Sequence, residues 1–547
     1  MTDNADKQWK CTGYKDEPHS EMLVGWDDIC PICCRDRNSP EYKHKPFPKI
    51  PVAIVSLLFV LGLGGYWLWP KNQTPEEPPV EEYTQNDSPP QPVSLSPPDV
   101  DDTSGEDTVN SPDGGSLQEP VMSVSEEGFS LGDRTLFPGI GNANRDRGSE
   151  EFGKGNYSEA VDLFRRGIEA NRNDPEVLIY YNNALARRNQ DYATFAVVVP
   201  IQGRQSSAQE MLRGVAQAQH EFNNAGGFNG KLIEIMIVDD GNDPERASQV
   251  ARKIVENTSV VGVIGHNSSN ASQAGLAVYE NAGVPMISPT STSTSLSSPV
   301  FFRTVPSDAA AGQTLANYAS GSFSVRTAVI LYNPNSAYST SLKEAFEENF
   351  QSLGGRVVRS IDISDPGFEA KIEVSRVGLT AEAEAILLFP DTRFTSVALE
   401  VAQANHQLQE GERLKLLGGD ALYSPTTLEA GASVNGLVLA VPWFSRSAES
   451  QQFSDRAEQQ WGGLVNWRTA MSFDATQAFI NALSQDTSRS QLLQQLENVR
   501  IPRGETSGSP LEFDSLGERQ GEPILVEATR GGSVGPRTSE FGFEVID

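Results

Sequence analysis

The sequence predicts an α/β protein in which two lobes, each a parallel sheet covered by helices, make up most of the mass. Three observations predict it. From Tyr192 onward, short apolar runs alternate with helical stretches. The runs are apolar at successive positions, as strands buried on both faces must be. Residues 191–530 are also more than one such sheet usually needs, which points to two lobes.

The chain has 547 residues, 38% of them apolar, and a net charge of -30. That charge argues against a nucleic-acid partner, because phosphate binding needs a basic surface. All four cysteines, Cys11, Cys30, Cys33 and Cys34, fall ahead of the one long apolar run. Residues 1–49 are therefore read as a cytoplasmic segment on the reducing side of a membrane. Cys30-Pro-Ile-Cys33 has the spacing that lets two thiolates face one tetrahedral ion. Together with the stretch around Cys11 it resembles a rubredoxin-like or zinc-ribbon knuckle, although Tyr14 stands where a second paired cysteine would be. Cys11, Cys30 and Cys33, with His19 or Cys34 as fourth ligand, form one candidate structural zinc site. A decayed or redox-sensitive knuckle is the other reading.

Residues 50–69 contain VAIVSLLFVLGLGGYWLW (Val52–Trp69), uncharged and close to the roughly 20 residues a membrane-spanning helix needs. Lys43, Lys45 and Lys49 precede it and Lys71 alone follows closely, which puts the N-terminus inside and the rest outside. A cleaved signal peptide is the alternative, with a leading segment far longer than usual. Residues 70–140, rich in Pro, Ser, Asp and Glu, are expected to form a disordered spacer. Residues 141–190 are helical. Gly148, Gly155, Tyr157, Ala160, Phe164 and Gly167 resemble a tetratricopeptide repeat, small residue against large. About one and a half repeats are present, fewer than a free-standing array needs, so a helical hairpin packed on its neighbour is expected.

Strands are then predicted at TFAVVVPI, LIEIMIVDD, VVGVIG, VPMIS, TAVILY, RVVRSIDI, AILLFP, LKLLGGD and GLVLAVPW. Helices are predicted between most of them, among them 208–224, 244–256 and 341–351. Two strands end in hydroxyl-rich loops, VIGHNSSNASQAG (Val263–Gly275) and ISPTSTSTS (Ile287–Ser295). In parallel sheets ligands bind where strands end and helices begin. Free backbone N–H groups there, helped by Ser and Thr hydroxyls, can hold a small carboxylate without a formal cation. Ordinary helix capping without a ligand explains the same residues. His266 is read as a turn residue or a ligand contact, and Tyr423 and Trp443 as cleft or core.

From Tyr192 to about Thr529 the chain resembles the branched-chain amino-acid binding-protein family, the type I periplasmic binding proteins. The resemblance rests on FNNAGGFNGKLIEIMIVDDGNDPERA (Phe222–Ala247), GVIGHNSSNASQ, NAGVPMISPTSTS and FFRTVPSD (Phe301–Asp308), in that order and spacing. It implies two Rossmann-like lobes, joined by three crossovers, that close over one small ligand. Lobe 1 is expected over 191–308 and 442–500, lobe 2 over 309–441 and 501–530, and a tail over 531–547. By the same resemblance Ser269 holds the ligand α-carboxylate through its hydroxyl and N–H. Thr290, Ser291 and Thr292 form the second binding loop. Tyr338 lies over the ligand and Asp420 pairs with the α-ammonium. Asp391 stands where the family often has an aromatic, and Ser206-Ser207 replace another, which suggests a polar or cationic ligand side chain.

The implied function is a membrane-anchored binder of an amino acid or similar zwitterion. It would sit in a bacterial inner membrane, need no cofactor for binding and deliver its ligand to an ABC permease. A receptor or scaffold ectodomain working through a signalling partner is the alternative. An enzyme is not expected: P-loop and HExxH motifs are absent from the sequence.

Overall fold

A computed structural model describes residues 8–13, 18–25, 128–380, 383–536 and 538–546. The chain divides into two units, Met1–Gly115 and Ser116–Asp547. In the first, β1 (Gln8–Gly13) and β2 (Pro18–Gly25) form an antiparallel hairpin with Cys11 opposite Met22. Cys11 and His19 lie on this hairpin, whereas Cys30, Cys33 and Cys34 lie outside the described residues. Among the described residues no group of three or more His, Cys, Asp or Glu side chains is placed to hold a metal, so the zinc reading gains no support. Among the same residues no helix is long and apolar enough to cross a membrane. The expected span Val52–Trp69 lies outside them.

The described chain resumes at residue 128, inside the stretch 70–140 expected as a spacer, of which residues 70–127 lie outside the described residues. β3 (Phe129–Ser130) pairs antiparallel with the strand Leu232–Asp239, because Phe129 can bury its ring there at 3% exposure. Three helices follow: Ala143–Gly153, Tyr157–Ala170 and Pro175–Asn189. A Cβ on Gly148 would come within 2.6 Å of the Phe164 ring, which is the small-against-large contact expected of this pair. Beneath them Arg145 is buried against Asp174 at 3.1 Å and Glu176 at 3.0 Å. Burial pushes the Glu176 carboxyl up to about 7 even with that guanidinium beside it.

Lobe 1 is a six-stranded sheet of order β3-β5-β4-β6-β7-β8. Its members are β4 (Tyr192–Val199), β5 (Leu232–Asp239), β6 (Val260–Ile264), β7 (Met286–Ser288) and β8 (Phe301–Arg303), all parallel apart from β3. Every residue of β5 is buried, as a strand covered on both faces requires. The helix Pro175–Asn189 fixes the β3 side of the sheet. Asn183 Nδ2 donates to the carbonyls of Leu131 and Ile235 at 2.7 Å each, and its Oδ1 accepts from Ile235 N at 2.8 Å. Residues 128–190 are therefore part of lobe 1 and not a free-standing array.

Lobe 2 is a seven-stranded sheet of order β10-β9-β11-β12-β13-β16-β17. It uses β9 (Thr327–Tyr332), β10 (Arg356–Asp362), β11 (Ala385–Phe389), β12 (Lys415–Gly418) and β13 (Val438–Val441) in parallel. β16 (Ile524–Arg530) and β17 (Phe541–Val545) close the sheet antiparallel. The segment expected as a tail is thus its edge strand, because Phe541 and Phe543 alternate inward from FGFEV. The helix Asp308–Ser320 packs on Ala337–Ser352 and so belongs to lobe 2.

The chain returns to lobe 1 through the helices Gln451–Trp461, Trp467–Asn481 and Arg489–Leu496. A Cβ on Gly214 would sit 2.1 Å from the Thr469 carbonyl, so only glycine lets helix Gln205–Asn224 approach helix Trp467–Asn481 this closely. The short strands β14 (Arg500–Ile501) and β15 (Leu511–Glu512) pair with each other. Phe513 and Arg519 still contact lobe 1, at Phe302 and Asp474, so the last crossover falls nearer residue 520 than the expected 501.

Candidate functional site

The two hydroxyl-rich loops end β6 and β7 side by side on lobe 1. Ser268 caps the helix Ser269–Ala282 by accepting from Ala271 N, so the first-turn N–H groups face outward from the strand ends. Most of the hydroxyls turn inward. Thr290 Oγ1 donates to the carbonyls of His266 and Asn267 at 3.1 and 2.8 Å. Ser288 and Ser291 reach the same His266 carbonyl at 3.3 and 3.4 Å. Thr290 and Ser291 thus spend their side chains on holding the two loops together. Ser269 is 3% exposed and its Oγ accepts from Ser293 N at 3.4 Å, which leaves its hydroxyl hydrogen free to donate. The Thr292 hydroxyl is buried beside Asp308, and among the described residues it makes no hydrogen bond of good geometry.

Arg303, in the FFRTVPSD stretch, clamps the second loop from behind. It donates to the carbonyls of Ser291, Ser293 and Leu296 at 3.3, 3.0 and 3.0 Å. His266 is fully buried, with Nδ1 2.7 Å from Asp240 and Nε2 3.1 Å from the Tyr279 hydroxyl. It is a core residue, not a ligand contact. Tyr423 stacks near Phe543 and Trp443 donates to the Ser507 carbonyl, so both are core as well.

Lobe 2 presents Tyr338 at the start of its helix and Asp420 just past β12. Ala421 N donates to the Tyr338 hydroxyl at 3.4 Å. Burial raises the Asp420 pKa above its ordinary value; the nearby Arg468 guanidinium and a hydrogen bond from the Tyr338 hydroxyl oppose the rise without cancelling it. Asp308 is a third acid in this group, 1% exposed, with neither oxygen hydrogen-bonded in good geometry. Burial pushes it up to about 8; Asp420 adds to the rise, and the hydroxyls of Thr292 and Ser341 oppose it.

Asp391 does not stand open to a ligand. Arg393 donates to it through N at 2.8 Å and Nη2 at 2.9 Å, and Asn333 through Nδ2 at 2.6 Å. This corrects its expected role as an extra pocket carboxylate, because both oxygens are already used within lobe 2. The cationic side chain it suggested for the ligand loses its basis. Arg204 and Arg468, which face this group from lobe 1, escaped the sequence reading, as did the cleft position of Asp308. Asp308 was visible inside FFRTVPSD, but nothing along the chain tied Arg468 to Asp420.

The lobes meet around these residues. Arg204 Nη2 donates to Thr392 O at 2.8 Å. Asn270 donates to Asn335 O at 3.2 Å and accepts from Ala337 N at 2.9 Å. Ser293 Oγ reaches Ala337 O at 3.2 Å, and Thr294 N donates to Ser341 Oγ at 2.9 Å. The cleft is therefore in its closed arrangement.

Residues 193–519 match the family described as periplasmic binding protein. The chain belongs to that family. A leucine-, isoleucine-, valine-, threonine- and alanine-binding protein of Pseudomonas aeruginosa is 29% identical over 188 residues, 33% of this chain and 50% of the relative. A Leu/Ile/Val-binding protein of Citrobacter freundii is 24% identical over 317 residues, 56% of this chain and 82% of the relative. Against the first of these periplasmic binding proteins the chain spans about half the relative's length. The crystal structure of a leucine-binding protein from Thermotoga maritima superposes with a TM-score of 0.55 at 22% identity, covering 65% of this chain and 99% of that one. At that identity the superposition establishes the two-lobe fold of a periplasmic binding protein. The relatives are binding proteins, not enzymes.

Proposed function

We propose that the protein is a membrane-tethered solute-binding protein that closes over one amino acid and delivers it to an ABC permease. The observation that carries the proposal is the polarity of the closed cleft. Neutral donors, Ser269, Thr292 and the first-turn N–H groups of the helix Ser269–Ala282, face one way. A carboxylate, Asp420, and a phenol, Tyr338, face them from the other lobe. Such a pair of walls fits a zwitterion, its anion on the uncharged donors and its ammonium on the acid. The names of the amino-acid-binding relatives support the ligand class. The apolar run Val52–Trp69 supports the tether, and delivery to a permease rests on the family resemblance.

Calorimetric titration of the full chain in detergent with each amino acid tests this. One amino acid should bind. Asp420→Ala should abolish its binding, and Ser269→Ala should weaken it about tenfold, the worth of one hydrogen bond to a charged group. Tight binding of a compound without an ammonium group, unaffected by Asp420→Ala, overturns the zwitterion reading.

A further inference from the structure

The charges in the cleft do not balance, and the imbalance names a ligand class. Glu210 is committed to Arg213, Thr469 and Asn466. Asp391 is committed to Arg393. Asp308 is sealed from water between the lobes, where burial pushes its carboxyl up to about 8 and so favours its neutral form. What remains is Asp420 against two cations, Arg204 and Arg468.

Arg204 has a partner, the Thr392 carbonyl across the cleft. Arg468 is different. It sits at the start of the helix Trp467–Asn481, which the Gly214 contact holds tightly to lobe 1. Its guanidinium lies 4.2 Å over the Trp467 ring, which fixes its direction. Its Nε is buried and has no hydrogen-bond partner among the described residues. The groups whose charges reach it are Asp420, Glu210, Tyr338 and Arg204, so it faces the ligand wall of lobe 2 as well as its own lobe. A buried guanidinium donor without an acceptor is costly. A carboxylate on the ligand would remove that cost, in the geometry guanidinium suits best.

We infer that Arg468 selects the ligand's side chain, and that the cleft takes an amino acid whose side chain carries a carboxylate. This rests on the amino-acid reading above. The α-carboxylate stays on the neutral donors of lobe 1 and the ammonium on Asp420. The side-chain carboxylate meets Arg468, and the bound ligand, with one net negative charge, balances the cleft.

Titration of the full chain with glutamate, aspartate, leucine, valine and glutarate tests the inference. The wild type should bind glutamate or aspartate at least about tenfold more tightly than leucine or valine. Arg468→Met should lose about tenfold to a hundredfold in affinity for the acidic ligand while its affinity for leucine or valine stays level or rises. Arg468→Lys should recover part of the loss. A wild type that prefers leucine or valine, or an Arg468→Met variant that weakens all amino acids equally, overturns the role of Arg468 but leaves the amino-acid reading standing. Glutarate bound as tightly as glutamate, even in Asp420→Ala, overturns the amino-acid reading itself and with it the ligand class proposed here.

Discussion

Gly419 lacks a side chain because Tyr338 needs the room. A Cβ there would sit 2.3 Å from the Tyr338 hydroxyl and 2.6 Å from Leu342. Gly419→Ala should therefore push the phenol off Asp420, weakening ligand binding about tenfold with the far-UV dichroism unchanged, as titration and spectroscopy would show. Asp308 gives a pH signature. Its pKa rises on folding from the ordinary 3.8 to about 8, so the folded state holds the proton more tightly than the unfolded one. The stability this contributes is fully present below about pH 4 and is lost as pH rises through about 8. Glu176, raised to about 7, acts in the same direction. Asp308→Asn should flatten part of the decline of the melting temperature of the ligand-free chain between pH 5 and 9, leaving the share of Glu176 and of the other carboxyls raised by burial, Asp174, Glu234 and Asp420. An equal slope in the variant would remove Asp308 as the cause. At this scale the sequence marked positions better than roles. Thr292, Tyr338 and Asp420 share the neighbourhood of Asp308, whereas Thr290 and Ser291 spend their side chains on tying one loop to the other and Asp391 is held by Arg393 and Asn333 within lobe 2. Which hydroxyl faces a carbonyl and which faces a cleft depends on neighbours from other strands, and those have no trace in local spacing.

Asn183 shows how the helical segment and the sheet depend on each other. Its amide satisfies both backbone groups of Ile235 in β5, and Gln219 holds that amide in place at 2.8 Å. Asn183→Leu would leave those buried groups unpaired, a loss of about 2–4 kcal/mol that denaturant titration would register as a lower midpoint. Deleting residues 128–190 should cost more, because it also strips β3 and uncovers the outer side of β5. Most elements of the two lobes were readable in advance. β9 spans the TAVILY run and the helix Pro244–Glu256 follows Asp243-Pro244, because double-sided burial and a capped helix start both leave strong local marks. β3, β8, β16 and β17 were not. β3 and β8 have two and three residues, and strands that short acquire their identity only from the partner they pair with, while β16 and β17 are half-buried edge strands whose apolar residues are interrupted by polar ones.

At the scale of the molecule, the proposed function requires the lobes to move. The bonds that join them include amide, hydroxyl and carbonyl contacts around the ligand walls, and the Arg204–Thr392 bond adds a cation to them. Removing that bond with Arg204→Ala should favour the open form. Small-angle scattering of the ligand-free variant should show a larger radius of gyration, and ligand affinity should fall about fivefold, roughly 1 kcal/mol taken from the closed state. An unchanged radius and affinity would mean that the bond does not hold the lobes. Two-lobe closure follows from the fold class alone. The particular bonds that secure it do not, because each joins residues far apart along the chain.

The order in which the chain enters and leaves has a practical consequence. Phe129 is stitched into the sheet of one lobe and Phe541–Val545 into the sheet of the other. Probes placed beside these two strands ride on different halves of the clamp. A donor–acceptor dye pair there would convert ligand capture directly into a change of energy transfer, a built-in caliper for the jaws that needs no graft into the cleft.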